Sequence, residues 1–301
     1  MKLKQAILEM RLGFKELNIY LKLGIGLLLI IVLEVWSFPI WKEYFTKYDK
    51  VYENILTTII NLPLIFLVIA LFIVGLRKYG EVIDQAGDTE EYLKKRYLKL
   101  WKSLHAKGNG LFAFKVLADY YKEKHRSYHN LEHIKNCLIE FDSGKHLTKN
   151  AKAIQFALFY HDAIYYPEVD NNEERSATLA IDVIIEAGLT KHFQSLVESL
   201  IIITSSKKLL LSLDLKLMTD IDLIIFGRPE DDFDEYEIKI RQEYDFAENQ
   251  DFALGRLIIL QYLLDRNSIY QTEYFRNRYE NQARINIQKS INKLKGVLRL
   301  G

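Results

Sequence analysis

The chain has 301 residues, and its 41 basic and 40 acidic side chains leave a net charge of +1 at pH 7. This balance excludes a global charge field that would point to nucleic acid or to a polyanionic substrate. The single cysteine, Cys137, excludes an intramolecular disulfide framework and a cysteine-rich zinc site. Any metal site is therefore expected to use histidines and carboxylates.

Two apolar segments lie near the start of the chain, at residues 23–41 and 55–76, and each has close to the roughly 20 residues that span a bilayer. Basic residues flanking this pair of segments outnumber those between them, which predicts that both termini are cytoplasmic. We therefore predict a membrane anchor of two transmembrane helices at residues 1–80, a linker at 81–90 and one soluble domain at 91–301. Through this anchor the protein is expected to bind the lipid bilayer. A second copy of the chain, in a homo-oligomer, is a further candidate partner.

From residue 91 onward, apolar residues recur at intervals of three and four. Examples are LFAFKVLADYY (111–121), AKAIQFALFYHDAIYY (151–166) and FALGRLIILQYLLDR (252–266). This period indicates amphipathic helices, whereas the regular alternation that indicates strands is scarce. We predict that the domain is all-α.

Three of the seven histidines lie within HRSYHNLEHI, at residues 125–134. His129 and His133 are four positions apart, so a helix places them on one face. The segment HNLEH also fits the H-x-x-E-H pattern, in which both histidines bind zinc and Glu132 acts as base, which gives a zinc metalloprotease as one alternative. That alternative leaves the histidine–aspartate pair at residues 161 and 162 without a role.

An ion buried between helices needs ligands from separated segments. His133 supplies one, His161 and Asp162 end the apolar run of FYHDAIYYPEVDNNEERSA (159–177), and the segment TDIDL supplies Asp220 or Asp222. These two aspartates point about 200° apart on a helix, so one of them faces the ion. Two imidazoles and two carboxylates suit a divalent first-row metal ion with open coordination positions.

These motifs, together with Trp101, IIIT, DIDLIIFG, IRQEYDF, IYQTEYF and NQARINI, resemble a bacterial branch of the HD superfamily of predicted metal-dependent phosphohydrolases. The resemblance covers roughly residues 98–294 and implies an HD-domain helical bundle. It implies one divalent ion, which is Mn, Fe, Co, Ni, Zn or Mg, and a phosphorylated small molecule or nucleotide as substrate. Members of this branch often carry a histidine after IIIT where this chain has Lys207 and Lys208, which implies either a site with one ion or a partial loss of activity.

The resemblance also implies a role for each ligand. His133 is the first ligand, and His161 with Asp162 forms the doublet that gives the superfamily its name. Asp222 is the expected closing carboxylate because Leu223 follows it as an apolar residue often does in this superfamily, and Asp220 is the alternate.

The polar segment behind the doublet completes the expected site. Glu173 or Glu174 would transfer a proton, and Arg175 would present a forked donor to phosphate. His129 and Arg126 are expected to contact the phosphate of the substrate, and the alternative is that they only hold the helix in place. The rival interpretation is structural, since Glu174 and Arg175 can form the solvated start of a helix.

Together these features predict a membrane-anchored metal-dependent phosphohydrolase. The alternative from a different class is a non-enzymatic sensor that binds a phosphorylated metabolite and signals to the membrane helices.

Overall fold

The computed structural model describes residues 88–205 and 212–300. All regular structure in these two ranges is helical, so the prediction of an all-α domain is confirmed for them. Residues from Thr89 onward belong to one compact unit. The predicted membrane spans at 23–41 and 55–76 lie outside the described residues, as do Lys207 and Lys208. Among the helices that are described, none has both the length and the apolar composition needed to cross a bilayer.

The α-helices of the described part are numbered here from the first of them. They are α1 Thr89–Ser103, α2 Gly110–Tyr121, α3 Leu131–Gly144, α4 Ala151–Tyr160, α5 Asn172–Glu186, α6 Lys191–Ile202, α7 Leu213–Asp222, α8 Glu230–Glu243, α9 Asn249–Asp265 and α10 Glu273–Leu300. Short 3₁₀ helices follow three of them, at Lys145–Leu147, Ile203–Ser205 and Leu223–Gly227.

Helix α4 is the central element of the domain. Its sequence, AKAIQFALFY, is apolar on nearly every side, and seven of its ten residues are buried. A helix that is apolar all round must be covered on all sides, and α4 packs against α1, α3, α5, α6 and α7. The residues that directly follow Tyr160 therefore lie in the interior of the domain.

The end of α4 differs from the sequence expectation. The periodic segment 151–166 predicts a helix that continues to Tyr166, but α4 ends at Tyr160. Beyond it, the amide of Ala163 turns back to the carbonyl of Tyr160 at 3.0 Å. The carbonyls of Asp162 and Ala163 accept hydrogen bonds from the side chain of Arg126. Side-chain donors thus replace the amides that a continuing helix would supply.

Two further helix ends set the positions of candidate residues. Asn130 caps α3, since its Oδ1 accepts from the amide of Glu132 at 2.9 Å, and this places His133 in the first turn. Helix α7 ends at Asp222 and continues as the 3₁₀ turn Leu223–Gly227, which packs against α10. A Cβ on Gly227 would lie 2.5 Å from the Cβ of Tyr279, so only glycine permits this close approach.

Candidate metal centre

Four side chains from three parts of the fold meet at the end of α4. His133 comes from the first turn of α3, His161 and Asp162 follow α4, and Asp222 is the last residue of α7. The two imidazoles are at most 3% exposed, whereas the carboxyl side chains of Asp162 and Asp222 are 15% and 24% exposed. The cluster is therefore closed on its histidine side and accessible from solvent on its carboxylate side.

The spacing of the four ligand atoms fits a single metal ion. The Nε2 atoms of His133 and His161 are 3.2 Å apart. Oδ2 of Asp162 lies 3.3 Å and 3.1 Å from these two nitrogens, and Oδ1 of Asp222 lies 3.4 Å and 3.3 Å from them. Ligands about 2.1 Å from an ion lie about 3.0 Å apart in octahedral and about 3.4 Å apart in tetrahedral coordination.

The hydrogen bonds of the outer ring nitrogens support the same assignment. Nδ1 of His161 lies 3.1 Å from the carbonyl oxygen of Leu158, which can only accept, so this nitrogen carries the proton. In the neutral ring the lone pair is then on Nε2 and faces the cluster. Nδ1 of His133 likewise contacts the Tyr128 hydroxyl at 3.2 Å. Metal-binding histidines are commonly oriented in this way through their second nitrogen.

Without an ion, opposite charges hold the cluster together. Burial alone would lower the pKa of His161, but the nearby carboxylates of Asp162 and Asp222 raise it well above its usual value. Burial would raise the pKa of both carboxyl groups, yet the imidazoles of His133 and His161 hold it below its usual range. A bound cation would take the place of the imidazole protons, so metal binding would release them.

Sequence reasoning missed one member of the cluster. His133, Cys137, His161 and Asp222 form a buried group that could bind a metal ion. Cys137 lies one helical turn after His133, and this spacing was the available signal. Its Sγ is 3.6 Å from Nε2 and 3.8 Å from Nδ1 of His133. These nearly equal distances place the sulfur beside the ring and away from the Nε2 lone pair, where Asp162 has the better position.

Replacing Cys137 by alanine should therefore leave metal binding intact. Loss of a small buried side chain should cost about 1 to 2 kcal/mol of folding free energy, while the metal content per chain stays at the wild-type value. The measurements are elemental analysis and thermal unfolding. In the Co²⁺-loaded wild type, a thiolate-to-metal charge-transfer band, or loss of the ion in the variant, would instead make Cys137 a ligand.

His129 forms a hydrogen-bonded pair with Glu243 beside the cluster. Oε2 of Glu243 is 2.6 Å from Nδ1 of His129, and Oε1 accepts from the amides of Tyr128 and His129 at 2.7 Å and 2.8 Å. Burial would raise the pKa of Glu243, but these hydrogen bonds lower it. The rings of His129 and His133 meet edge to face with centroids 5.7 Å apart. In the sequence, Glu243 was part of the IRQEYDF motif, for which both buried ion pairing and substrate contact were open; its partner His129 could not be predicted.

The segment NNEERSA divides into residues that fasten a loop and residues that face outward. Asn172 bonds the amide of Tyr166 at 3.0 Å and its carbonyl at 2.8 Å. Ser176 bonds the amide and the carbonyl of Ile164 in the same way. Both side chains thus fasten the loop that follows the doublet, a role that the sequence did not reveal.

Of the three residues expected to act on substrate, only Glu173 is partly buried. Burial raises the pKa of its carboxyl group, and the negative charges of Asp162 and Asp222 act in the same direction. Glu174 and Arg175 are exposed at the start of α5. The guanidinium of Arg175 lies over the Tyr166 ring, 5.3 Å from its centroid.

Three other sequence candidates have their polar groups engaged elsewhere. Asp220 is fully buried and accepts from the amides of Gln271 and Thr272 and from the Thr272 hydroxyl, at 2.6 to 2.7 Å. Glu132 is exposed and accepts from the Thr89 hydroxyl. The guanidinium of Arg126 is buried and donates to backbone carbonyls.

Comparison with known proteins adds no relative: no family model, no curated protein and no solved structure matches the chain.

Proposed function

We propose that this protein is a membrane-anchored, metal-dependent phosphohydrolase of the HD type, which cleaves a phosphate ester. The observation that carries the proposal is the convergence of two Nε2 atoms and two carboxylate oxygens at 3.1 to 3.4 Å, with the carboxylates accessible from solvent. His133, His161, Asp162 and Asp222 would hold one divalent ion, which is Mn, Fe, Co, Ni, Zn or Mg. Such an ion supplies a Lewis acid for a phosphoryl oxygen and lowers the pKa of water from about 15.7 towards 7.

The residues around the ligands provide the groups that such a reaction needs. Glu243 lies 2.6 Å from Nδ1 of His129 and so orients the ring. The other ring nitrogen of His129 is then available to contact the substrate, while Glu173 is the residue that would transfer a proton. Arg175 lies exposed at the start of α5 with its guanidinium over the Tyr166 ring, and its forked donor would bind a phosphate that approaches there.

The substrate class is a phosphorylated small molecule, with a nucleotide favoured by the resemblance alone. The protease alternative gains no support, because Glu132 is exposed and bonded to Thr89. In the sensor alternative, the helical domain binds a phosphorylated metabolite without cleaving it and signals to the membrane helices.

The proposal is tested with full-length protein in a mild detergent. The wild type, His133→Ala and Asp162→Ala are reconstituted with each of the six ions, assayed for metal content and tested on a panel of phosphate monoesters, phosphodiesters and nucleotides. We expect about one ion per wild-type chain and metal-dependent hydrolysis, both lost in the two variants while circular dichroism shows them folded.

Glu132→Gln is the matched control, because it should leave hydrolysis unchanged. A wild type that retains none of the six ions would contradict the proposal. A wild type that holds an ion and binds a phosphorylated compound without cleaving it would favour the sensor.

A further inference from the structure

Arg126 carries a charge into the interior beside the metal centre. Its side chain is fully buried in the loop between α2 and α3. Nη1 donates to the carbonyl oxygens of Asp162 at 2.6 Å and His129 at 3.2 Å, and Nη2 donates to that of Ala163 at 2.8 Å. Nε donates to Glu123 at 3.1 Å. The guanidinium is therefore directed at the protein's own backbone, which does not suit the substrate contact expected from the sequence.

Tyr121 contacts the backbone just before the pair His161 and Asp162. Its hydroxyl donates to the carbonyl oxygen of Phe159 at 3.0 Å, and the Arg126 guanidinium lies 5.2 Å from the centroid of its ring. Together the two side chains hold the carbonyls of residues 159, 162 and 163, which flank His161. We refer to Tyr121 and Arg126 as the carbonyl clamp.

The end of a helix is a place where such a clamp has a physical effect. The carbonyl of Phe159 near the end of α4 and those of Asp162 and Ala163 just beyond it accept from side chains, and they lie at the negative end of the helix dipole. The Tyr121 hydroxyl donates to the first, and the buried guanidinium of Arg126 donates to the other two, whose partial negative charges help to balance its own. Without it, the backbone of His161 and Asp162 would have to find water or other donors, and the directions of the two side chains would no longer be fixed.

We infer that Arg126 is a positioning residue for the metal centre. By fastening the carbonyls of Asp162 and Ala163 to the loop that carries His129, it holds the doublet in the direction in which both side chains face His133. The inference rests on the metal site of the proposed function and adds to it a group that touches neither ion nor substrate. It applies equally whether the bound ion serves catalysis or sensing.

The substitution Arg126→Lys keeps the positive charge and replaces the planar fork by a single amine. Full-length protein is titrated calorimetrically with Mn²⁺ and, separately, with Zn²⁺, well below its unfolding temperature. The dissociation constant should rise about 10- to 100-fold over that of the wild type, the range found when a group that orients metal ligands is lost.

Arg284→Lys is the matched control. Arg284 also donates its fork to backbone carbonyls, those of Leu264, Arg266 and Asn267 at the end of α9. Its replacement should lower the Tm and leave the dissociation constants for both ions unchanged. A general loss of stability therefore gives a different result from a loss of positioning.

Equal ion affinity in Arg126→Lys and wild type overturns the inference, even if the Tm of the variant falls. If that variant does not fold, Arg126→Gln, which keeps a planar amide donor and removes the charge, is titrated in its place, and unchanged affinity in it has the same consequence. A wild type that binds an ion but cleaves no phosphate ester contradicts the proposed hydrolysis. In that case the comparison of ion affinities still tests whether Arg126 positions the metal ligands. A wild type that binds neither ion overturns both.

Discussion

Asp222→Ala should lose its divalent ion while the domain remains folded. Oδ1 of Asp222 lies 3.4 Å and 3.3 Å from the Nε2 atoms of His133 and His161, so its removal opens the centre on one side. Affinity should fall by more than about 100-fold, the upper end of the effect of losing a group that only orients a ligand. Hydrolysis should disappear with the ion. Elemental analysis and circular dichroism of the same sample measure both effects.

Asp220→Ala is the control, and it should behave in the opposite way. Asp220 precedes Asp222 by two residues and is fully buried, with bonds from Gln271 and Thr272 at the start of α10. Its loss leaves buried donors without an acceptor, which should cost about 3 kcal/mol. For a domain of this size the Tm should fall by about 6 to 12 °C. Loss of the ion in Asp220→Ala, with retention in Asp222→Ala, would reverse the assignment of the closing ligand.

Glu173→Gln should lower the turnover number by about 10² to 10⁴ without changing the metal content. This range is typical for loss of a group that transfers a proton. Burial and the negative charges of Asp162 and Asp222 raise the pKa of the Glu173 carboxyl group, so it retains a proton to a higher pH than a carboxyl group in water. The amide keeps the shape of the side chain but cannot ionise. Steady-state kinetics with the ion-loaded enzyme measures the effect.

Glu174→Gln offers a comparison one residue away. Glu174 is exposed, so its substitution should leave the turnover number close to that of the wild type. If both variants change the turnover number little and equally, Glu173 and Glu174 belong to a solvated helix start. This result would support the structural interpretation of NNEERSA. Loss of the ion in Glu173→Gln would assign that residue to ion binding.

The helical class of the domain could be predicted from its sequence, but the arrangement of its helices could not. The apolar period shows which face of a helix is covered and does not show by what. The apolar period of 151–166 predicted a helix that continues to Tyr166, yet α4 ends at Tyr160, and the carbonyl of Asp162 beyond it accepts from Arg126 on another segment. The residue type of Arg126 was compatible with a phosphate contact, and only the structure shows that its donors bond to backbone carbonyls.

The members of the candidate metal centre could be predicted from the sequence to different degrees. His133 stood out in the histidine cluster of HRSYHNLEHI, His161 and Asp162 at the end of an apolar run, and the aspartates of TDIDL as carboxylates on a third segment. The choice between Asp220 and Asp222 needs the direction of each side chain. Glu243 could not be placed beside His129 from the sequence, because 114 positions separate them.

The spread of the candidate ligands along the chain has a consequence for the synthesis of the protein. His133, His161 and Asp162 leave the ribosome well before Asp222 and Glu243, so a nascent chain that ends before α7 has two imidazoles and one carboxylate but no closing ligand. Loop-closure entropy opposes contacts between residues far apart in sequence. Loading of the proposed ion would thus have to follow synthesis of α7, and a chain that ends earlier would bind that ion less tightly.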